Sequence, residues 1–283
     1  MASSLKIPDP PYIAAGAIGG PFVIYLVTPL RNSLTLGALD KSASALNIYQ
    51  QVFRNGLGEA FAGGVPMSRA AVPGFLVLGP AFHMFKDLVG GSNVAAVGLT
   101  AVSESLIFYG AESNNAQVAF NQKAAVHNTP KITNLQNPLN PIGGGFGLHV
   151  TRNVLAMSGL RVFSSPCQQV IEKMSPDLTP TTRVVLGDLV ANIIVSAVSA
   201  PLHQLYGWSV TTRAAETKHA QPFVQAATAY LKSQYLTPSG SLSSVAGRDM
   251  FLRVVYNATI FTLYGFIERT LVSSWPSSLN WSS

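Results

Sequence analysis

The chain has 283 residues, 48% of them hydrophobic and only 11% charged, with net charge +6 and a mean hydropathy of +0.30. Soluble domains carry about 25% charged residues, so the shortage of charge points to a bilayer, whose core takes ~20 apolar residues per helix. The lone Cys167 excludes a disulfide framework or thiolate metal site within one chain, and basic residues scattered from Arg54 to Lys232 exclude the aromatic-interleaved stripe of a nucleic-acid binder.

The opening "MASSLKIPDPPY" has neither a charged n-region leading into an apolar stretch nor the Arg-rich pattern of a transit peptide, so any import signal is expected to be internal. From Tyr12 to Leu30 no Asp, Glu, Lys or Arg occurs. This run predicts a membrane helix kinked at Pro29, with Gly16 and Gly20 in the small-xxx-small spacing that lets helices approach closely. Next, "IYQQVFRNG" predicts a short amphipathic helix stopped by Gly56. "GEAFAGGVP" turns the chain, and an apolar helix is expected from about Met67 to Leu88.

The order then repeats. "VAAVGLTAVSESLIFYGAESNNAQVAFNQ" predicts a long helix with Gly110 where the first has proline. The Pro/Asn-rich "HNTPKITNLQNPLNPIGG" stands in place of an amphipathic helix, and "GFGLHVTRNVLAMSGLRVFSSPCQQVIEKM" closes the unit. Within it, "GGGFG" lacks the Gly-Lys-[Ser/Thr] of a phosphate loop and reads as a plain connection. The third unit has a second long uncharged run, Leu189 to Thr212, broken by Pro201. It continues with the amphipathic "QPFVQAATAYLKSQYLTPSG" and the helix "GRDMFLRVVYNATIFTLYGFIERTL". The kink positions Pro29, Gly110 and Pro201 are spaced 81 and 91 residues apart. The expected fold is an all-α membrane protein of six transmembrane helices in three tandem repeats, 12–90, 91–177 and 178–272, between tails 1–11 and 273–283.

Gly16, Gly20 and Pro29, together with Gly63, Pro66, Pro73, Pro80 and Phe82 in "FAGGVPMSRAAVPGFLVLGPAFHMFK", resemble the mitochondrial carriers, and the resemblance covers residues 12–272. It implies pseudo-threefold symmetry around a central cavity, amphipathic helices on the matrix side, and the mitochondrial inner membrane. No cofactor is expected beyond bound cardiolipin or another phospholipid. The expected partners are the lipid bilayer, anionic phospholipid attracted by positive charge between apolar segments, and other membrane subunits, but no nucleic acid.

Carriers place Pro-x-[Asp/Glu]-x-x-[Lys/Arg] at the matrix end of each odd helix, giving a ring of ion pairs. The matching positions here are Arg31 and Leu34, Glu112 and Asn115, and His203 and Tyr206. One acid survives and no base, leaving Arg31 with Glu112 as the available bridge. On the even helices the second gate becomes Phe82, His83 and Lys86, then Ser164, Ser165 and Gln168, then Tyr264, Gly265 and Glu268. Only Lys86 with Glu268 is left to pair, so both gates read as electrostatically dismantled. The cavity contacts map to Ala70 with Ala71, Arg152 with Asn153, and Arg253; two guanidiniums suit an anionic ligand unless acids or carbonyls claim them. Glu104 is an isolated intramembrane charge with Arg161 or Arg152 as its expected partner.

Alternating access needs two closures of comparable free energy. Packing glycines and prolines without gate charges therefore imply a non-transporting structural or accessory subunit of a respiratory-chain or ATP synthase complex. The loop "NTPKITNLQNPLNP" and the tail "SSWPSSLNWSS" would be free for partners. The alternatives are a divergent transporter of an anionic metabolite, closed by His203, Gln204 and Tyr206, or a degraded outer-membrane carrier. Without a GxSxG motif or paired carboxylates, no enzyme is expected.

Overall fold

The structure, a computed structural model, describes residues 8–39, 43–54, 56–127, 130–215 and 221–276. The starts and ends of the two expected tails, 1–7 and 277–283, fall outside the described residues, as do Asn128 and Thr129 of the middle loop. Among the described residues there is no strand, only an isolated bridge between Leu236 and Leu242.

The chain forms α1 (Pro10–Leu26) and α2 (Thr28–Leu39) as one bent rod, then the short α3 (Ala45–Phe53). Next comes α4, a rod running from Gly64–Leu76 through Val77–Ala81 to Phe82–Leu88. After α5 (Asn93–His127) comes α6, built of Phe146–Ser158, Gly159–Phe163 and Ser164–Met174. The series ends with α7 (Pro180–Val210), the short α8 (Phe223–Tyr235) and α9 (Ser244–Ser274). Long helix, short helix, long helix thus occurs in the first and third units, and the middle unit has a loop where the others have α3 and α8.

Each rod packs on the next, α1 on α4, α4 on α5, α5 on α6, α6 on α7 and α7 on α9, and α9 returns to α1 and α2, closing a ring. Three helices, Asn93–Val118, Pro180–Ala215 and Ser244–Ser274, are long and apolar enough to cross a membrane; the bent pair Pro10–Leu26 with Thr28–Leu34 makes a fourth if it is one span. Their surfaces agree with that solvent. On α5 the exposed residues include Leu99, Val102 and Leu106, while Thr100, Ser105 and Ser113 are buried. On α7, Ile193, Ile194 and Val198 face out, while Asn192, Ser196 and Ser199 face in. Apolar outside and polar inside reverses the arrangement of a soluble bundle. The chain is a helical membrane protein.

Close approach of the rods explains the first glycines. A Cβ on Gly16 would lie 2.8 Å from the Phe75 carbonyl oxygen, and one on Gly20 would lie 2.0 Å from the Phe75 ring. These two positions let α1 lie directly on α4, as small residues do wherever dispersion must hold helices together in lipid.

The prolines act in two ways. At Pro29 the rod bends by 59° between α1 and α2, with the break at Val27. Pro29 has no N–H for the carbonyl four residues earlier, and its ring crowds that carbonyl. Elsewhere the strain is taken up by wide π turns, Ala15–Gly19 just before Pro21, Val77–Ala81 around Pro80, and Gly159–Phe163 just before Pro166. Two expected kinks differ. Pro201 lies within the continuous α7, and Gly110 lies within the continuous α5.

Gly110 serves the middle loop instead. A Cβ there would stand 2.5 Å from the carbonyl oxygens of both Asn140 and Pro138. The same face of α5 ties the loop down. Asn114 Nδ2 donates to the Gln136 carbonyl at 2.8 Å, and the Gln136 N–H donates to Gln117 Oε1 at 2.6 Å. Asn121 exchanges two bonds with the Ile132 backbone, at 2.8 and 2.9 Å. Side-chain amides thereby satisfy backbone groups that a helix would have paired internally. Asn115, the expected gate position, is exposed beside this seam.

Candidate functional site

Two buried charge networks sit at different depths in the ring. The first joins α5, α6 and α7. Arg152 grips Glu112 through both guanidinium nitrogens, Nη1 to Oε1 at 2.8 Å and Nη2 to Oε2 at 2.7 Å. His149 Nε2 lies 2.9 Å from Glu112 Oε2, and its Nδ1 lies 2.9 Å from Ser105 Oγ. Arg152 Nη1 also meets His203 Nδ1 at 3.1 Å, and the guanidinium stands 4.6 Å over the Tyr206 ring. Tyr206 in turn hydrogen-bonds Ser113 at 2.9 Å. Arg152 and His149 are almost sealed, yet Glu112 keeps 33% of its side chain accessible.

The second network joins α4, α6, α7 and α9. Arg161, in the π turn of α6, makes a bidentate pair with Glu268 at 2.6 and 2.7 Å and donates to the Leu78 carbonyl of α4 at 3.2 Å. Its guanidinium lies 4.6 Å over the Phe82 ring. The fully buried Asp188 of α7 accepts from Ser164 of α6 and pairs with Arg269 of α9. On α6, Arg152 and Arg161 are separated by ~13 Å of helix, and on α7, His203 and Asp188 by ~22 Å.

Several sequence expectations change accordingly. Glu112 is held by Arg152 and His149, not by Arg31, whose Nη1 turns to the Met67 sulfur. Glu268 is held by Arg161 and not by Lys86, which makes no ion pair among the described residues. Glu104 takes neither Arg161 nor Arg152; it accepts from the Asn153 amide. The gates are not empty of charge, because guanidiniums one or more turns off the motif reach into the same places. Breaking such a buried pair on one side costs about 3–5 kcal/mol.

The remaining expected positions divide. Asn153 is buried and bridges Glu104 to Arg152, its Oδ1 accepting from Arg152 Nε at 3.2 Å. Arg253 is buried, and with the Asn257 amide oxygen turned toward it donates from Nε and Nη2 at 3.0 and 3.3 Å. Ala70 is exposed, Leu34 is half-buried, and His83 packs against Tyr12 with ring centres 3.9 Å apart and the planes tilted by 37°.

A further ion pair anchors the end of α2. Arg248 bonds Asp249 and donates to the Gly37 and Ala43 carbonyls at 2.9 and 3.0 Å, which caps that helix. Near this end, outside the candidate spans, burial and then the Asp249 charge push the Tyr230 phenol up to about 12, so it stays a neutral donor.

In the sequence His149, Asp188 and Arg269 carry no expected role, and Arg161 is expected only as a partner for Glu104. The available signal was a charge or imidazole isolated in an apolar run, as in "SGLRVF" and "VVLGDLV". Compared with known protein families and with curated proteins, the chain matches none.

Proposed function

We propose that this chain is a carrier-like bundle of six membrane-crossing helices in three repeats that is held static, serving as a structural or accessory subunit of a membrane complex. The observation that carries the reading is that ion pairs at two depths are formed at once. Arg152–Glu112 ties α5 to α6, while Arg161–Glu268 and Arg269–Asp188 tie α6, α7 and α9. An alternating-access carrier opens one closure as the other forms. Here each closure has a pair with at least one nearly sealed member, and rupture of the desolvated Arg161–Glu268 pair alone costs several kcal/mol. The closed order of the rods, the α1–α2 kink at Pro29 and the paired placement of α3 and α8 favour the carrier resemblance. That resemblance, in turn, is the reason for proposing the mitochondrial inner membrane and a respiratory-chain or ATP synthase complex as the host, with cardiolipin or another anionic phospholipid around the bundle. The reading includes no catalysis.

Gentle solubilisation followed by native electrophoresis tests this. The chain should migrate with a complex far larger than itself; migration alone would overturn the subunit reading. A second reading, a divergent transporter, is favoured by Arg253, an interior guanidinium with no carboxylate partner among the described residues. Reconstituted solute exchange that Arg253→Gln abolishes would establish it.

A further inference from the structure

Residues 130–145 run without regular secondary structure, yet they do not stand beyond the end of α5. They fold back along it. The Ile132 backbone is level with Asn121, the Gln136 backbone with Gln117 and Asn114, and the carbonyls of Asn137, Pro138 and Asn140 with Gly110. The Gly144 carbonyl then accepts from the Tyr109 hydroxyl at 2.5 Å. Asn121 and Gly110 are eleven positions apart on the helix, so the segment descends by ~16 Å.

That descent enters the candidate span. Asn93–Val118 has 26 residues, or ~39 Å of helix, and a hydrocarbon core of ~30 Å centred on it leaves ~4–5 Å at either end. Gly110 is eight residues, ~12 Å, inside Val118, which puts it roughly 7–8 Å into the core. The side of the helix is also the lipid side. Gly110, Asn114, Gln117 and Asn121 continue, at three- and four-residue spacing, the stripe on which Leu106 is exposed. The segment therefore lies on the outer flank of α5, where lipid would otherwise touch the helix.

Its own chemistry suits that depth. Irregular backbone survives in a bilayer only where protein satisfies its polar groups. Pro138 and Pro141 have no N–H. The N–H groups of Gln136, Leu139, Asn140 and Ile142 donate to Gln117 Oε1, Asn137 Oδ1, the Asn137 carbonyl and Asn140 Oδ1, at 2.6, 2.9, 3.0 and 3.2 Å. The Asn137 and Asn140 side chains thereby turn onto the loop's own backbone. The side chains left facing outward are apolar: Leu139 is 90% exposed, Ile142 57% and Leu135 42%. The one charge in residues 130–145 is Lys131, next to Ile132 at the level of Asn121, which is headgroup depth. We infer that residues 135–142 form a re-entrant segment, which dips into one leaflet beside α5 and sets Leu139 and Ile142 against acyl chains. Lipid then covers the surface that a protein partner would otherwise meet. The inference rests on α5 as a membrane span and holds for a scaffold and a transporter alike.

The test is nitroxide labelling of the full chain in phosphatidylcholine nanodiscs, with Cys167→Ser so that each added cysteine is the sole one. Power saturation compares collisions with oxygen, which concentrates in hydrocarbon, against those with a nickel chelate, which stays in water. Ile107→Cys, exposed on the lipid face of α5, and Asp177→Cys, exposed in the loop between α6 and α7, are the two references. Leu139→Cys and Ile142→Cys should follow Ile107→Cys, with oxygen collisions several-fold above nickel, while Lys131→Cys should follow Asp177→Cys. Labels at 139 and 142 that follow Asp177→Cys overturn the inference and leave that face to water or a protein partner. Labels there that are shielded from both probes overturn it as well. The two sites are independent, so either one decides if the other variant fails to fold. If Ile107→Cys itself reads as water, the span and the inference fall together. A chain that sits in a large complex yet shows residues 139 and 142 in water loses this inference and keeps the subunit reading.

Discussion

Arg161→Met puts the second network to a direct test. The substitution keeps an unbranched apolar stem but deletes the guanidinium, and with it two bonds to Glu268 at 2.6 and 2.7 Å, one to the Leu78 carbonyl at 3.2 Å and the contact over Phe82. The larger effect falls on what remains. Glu268 has only 6% of its side chain exposed, so its carboxylate is left in a poorly solvated site without a cation. Removing one partner of a buried pair costs about 3–5 kcal/mol. For a chain of this size that is a fall in Tm of roughly 10 °C, read from tryptophan fluorescence of the detergent-solubilised protein, where the buried Trp208 stacks on Tyr230. Adding Glu268→Gln removes the stranded charge and should return more than half of the loss. A single variant within about 2 °C of wild type, or a double variant no better than the single, would refute the claim that this pair holds α6 against α9.

Three further outcomes follow from the packing. Gly20→Ala places a methyl 2.0 Å from the Phe75 ring, so Tm should drop by an amount matching about 1–3 kcal/mol of overpacking, with Phe75→Leu recovering part of it. Gly110→Ala separates two roles: a plain helix interior would gain about 1 kcal/mol, but a methyl facing carbonyls at 2.5 Å should dislodge the middle loop, and limited proteolysis within residues 130–145 should accelerate. Tyr206→Phe loses the 2.9 Å bond to Ser113 and should cost about 1 kcal/mol in thermal denaturation, with Ser113→Ala adding little on top.

The six rods and their order were legible because hydrophobic run length and proline or glycine punctuation are local properties. Tyr12 to Leu30 announces α1 without any knowledge of its neighbours, and "AGAIGG" announces its close contact. The charge networks were not legible in the same way, because a motif assigns a partner by position along one helix, whereas a guanidinium chooses among all carboxylates within reach of its long arm. Arg152, expected as a ligand contact, is the partner of Glu112; Arg161, expected near Glu104, holds Glu268. Gly110 shows the opposite failure. Its place in the repeat suggested a hinge, but its reason lies in a loop some thirty residues away in sequence, whose carbonyls come too close for any side chain.

The wide turn in α6 has an effect on register. Along a regular helix Arg152 and Arg161, nine positions apart, would project about 180° from one another, one inward and one toward lipid. The π turn Gly159–Phe163 absorbs one extra residue, which brings the second guanidinium back by about 100° to face Glu268. It works as a built-in frameshift in three dimensions, carrying the polar seam of α6 from α5 and α7 on one side of the turn to α4 and α9 on the other. A one-residue deletion there would conserve every side chain of the network and still set it out of phase.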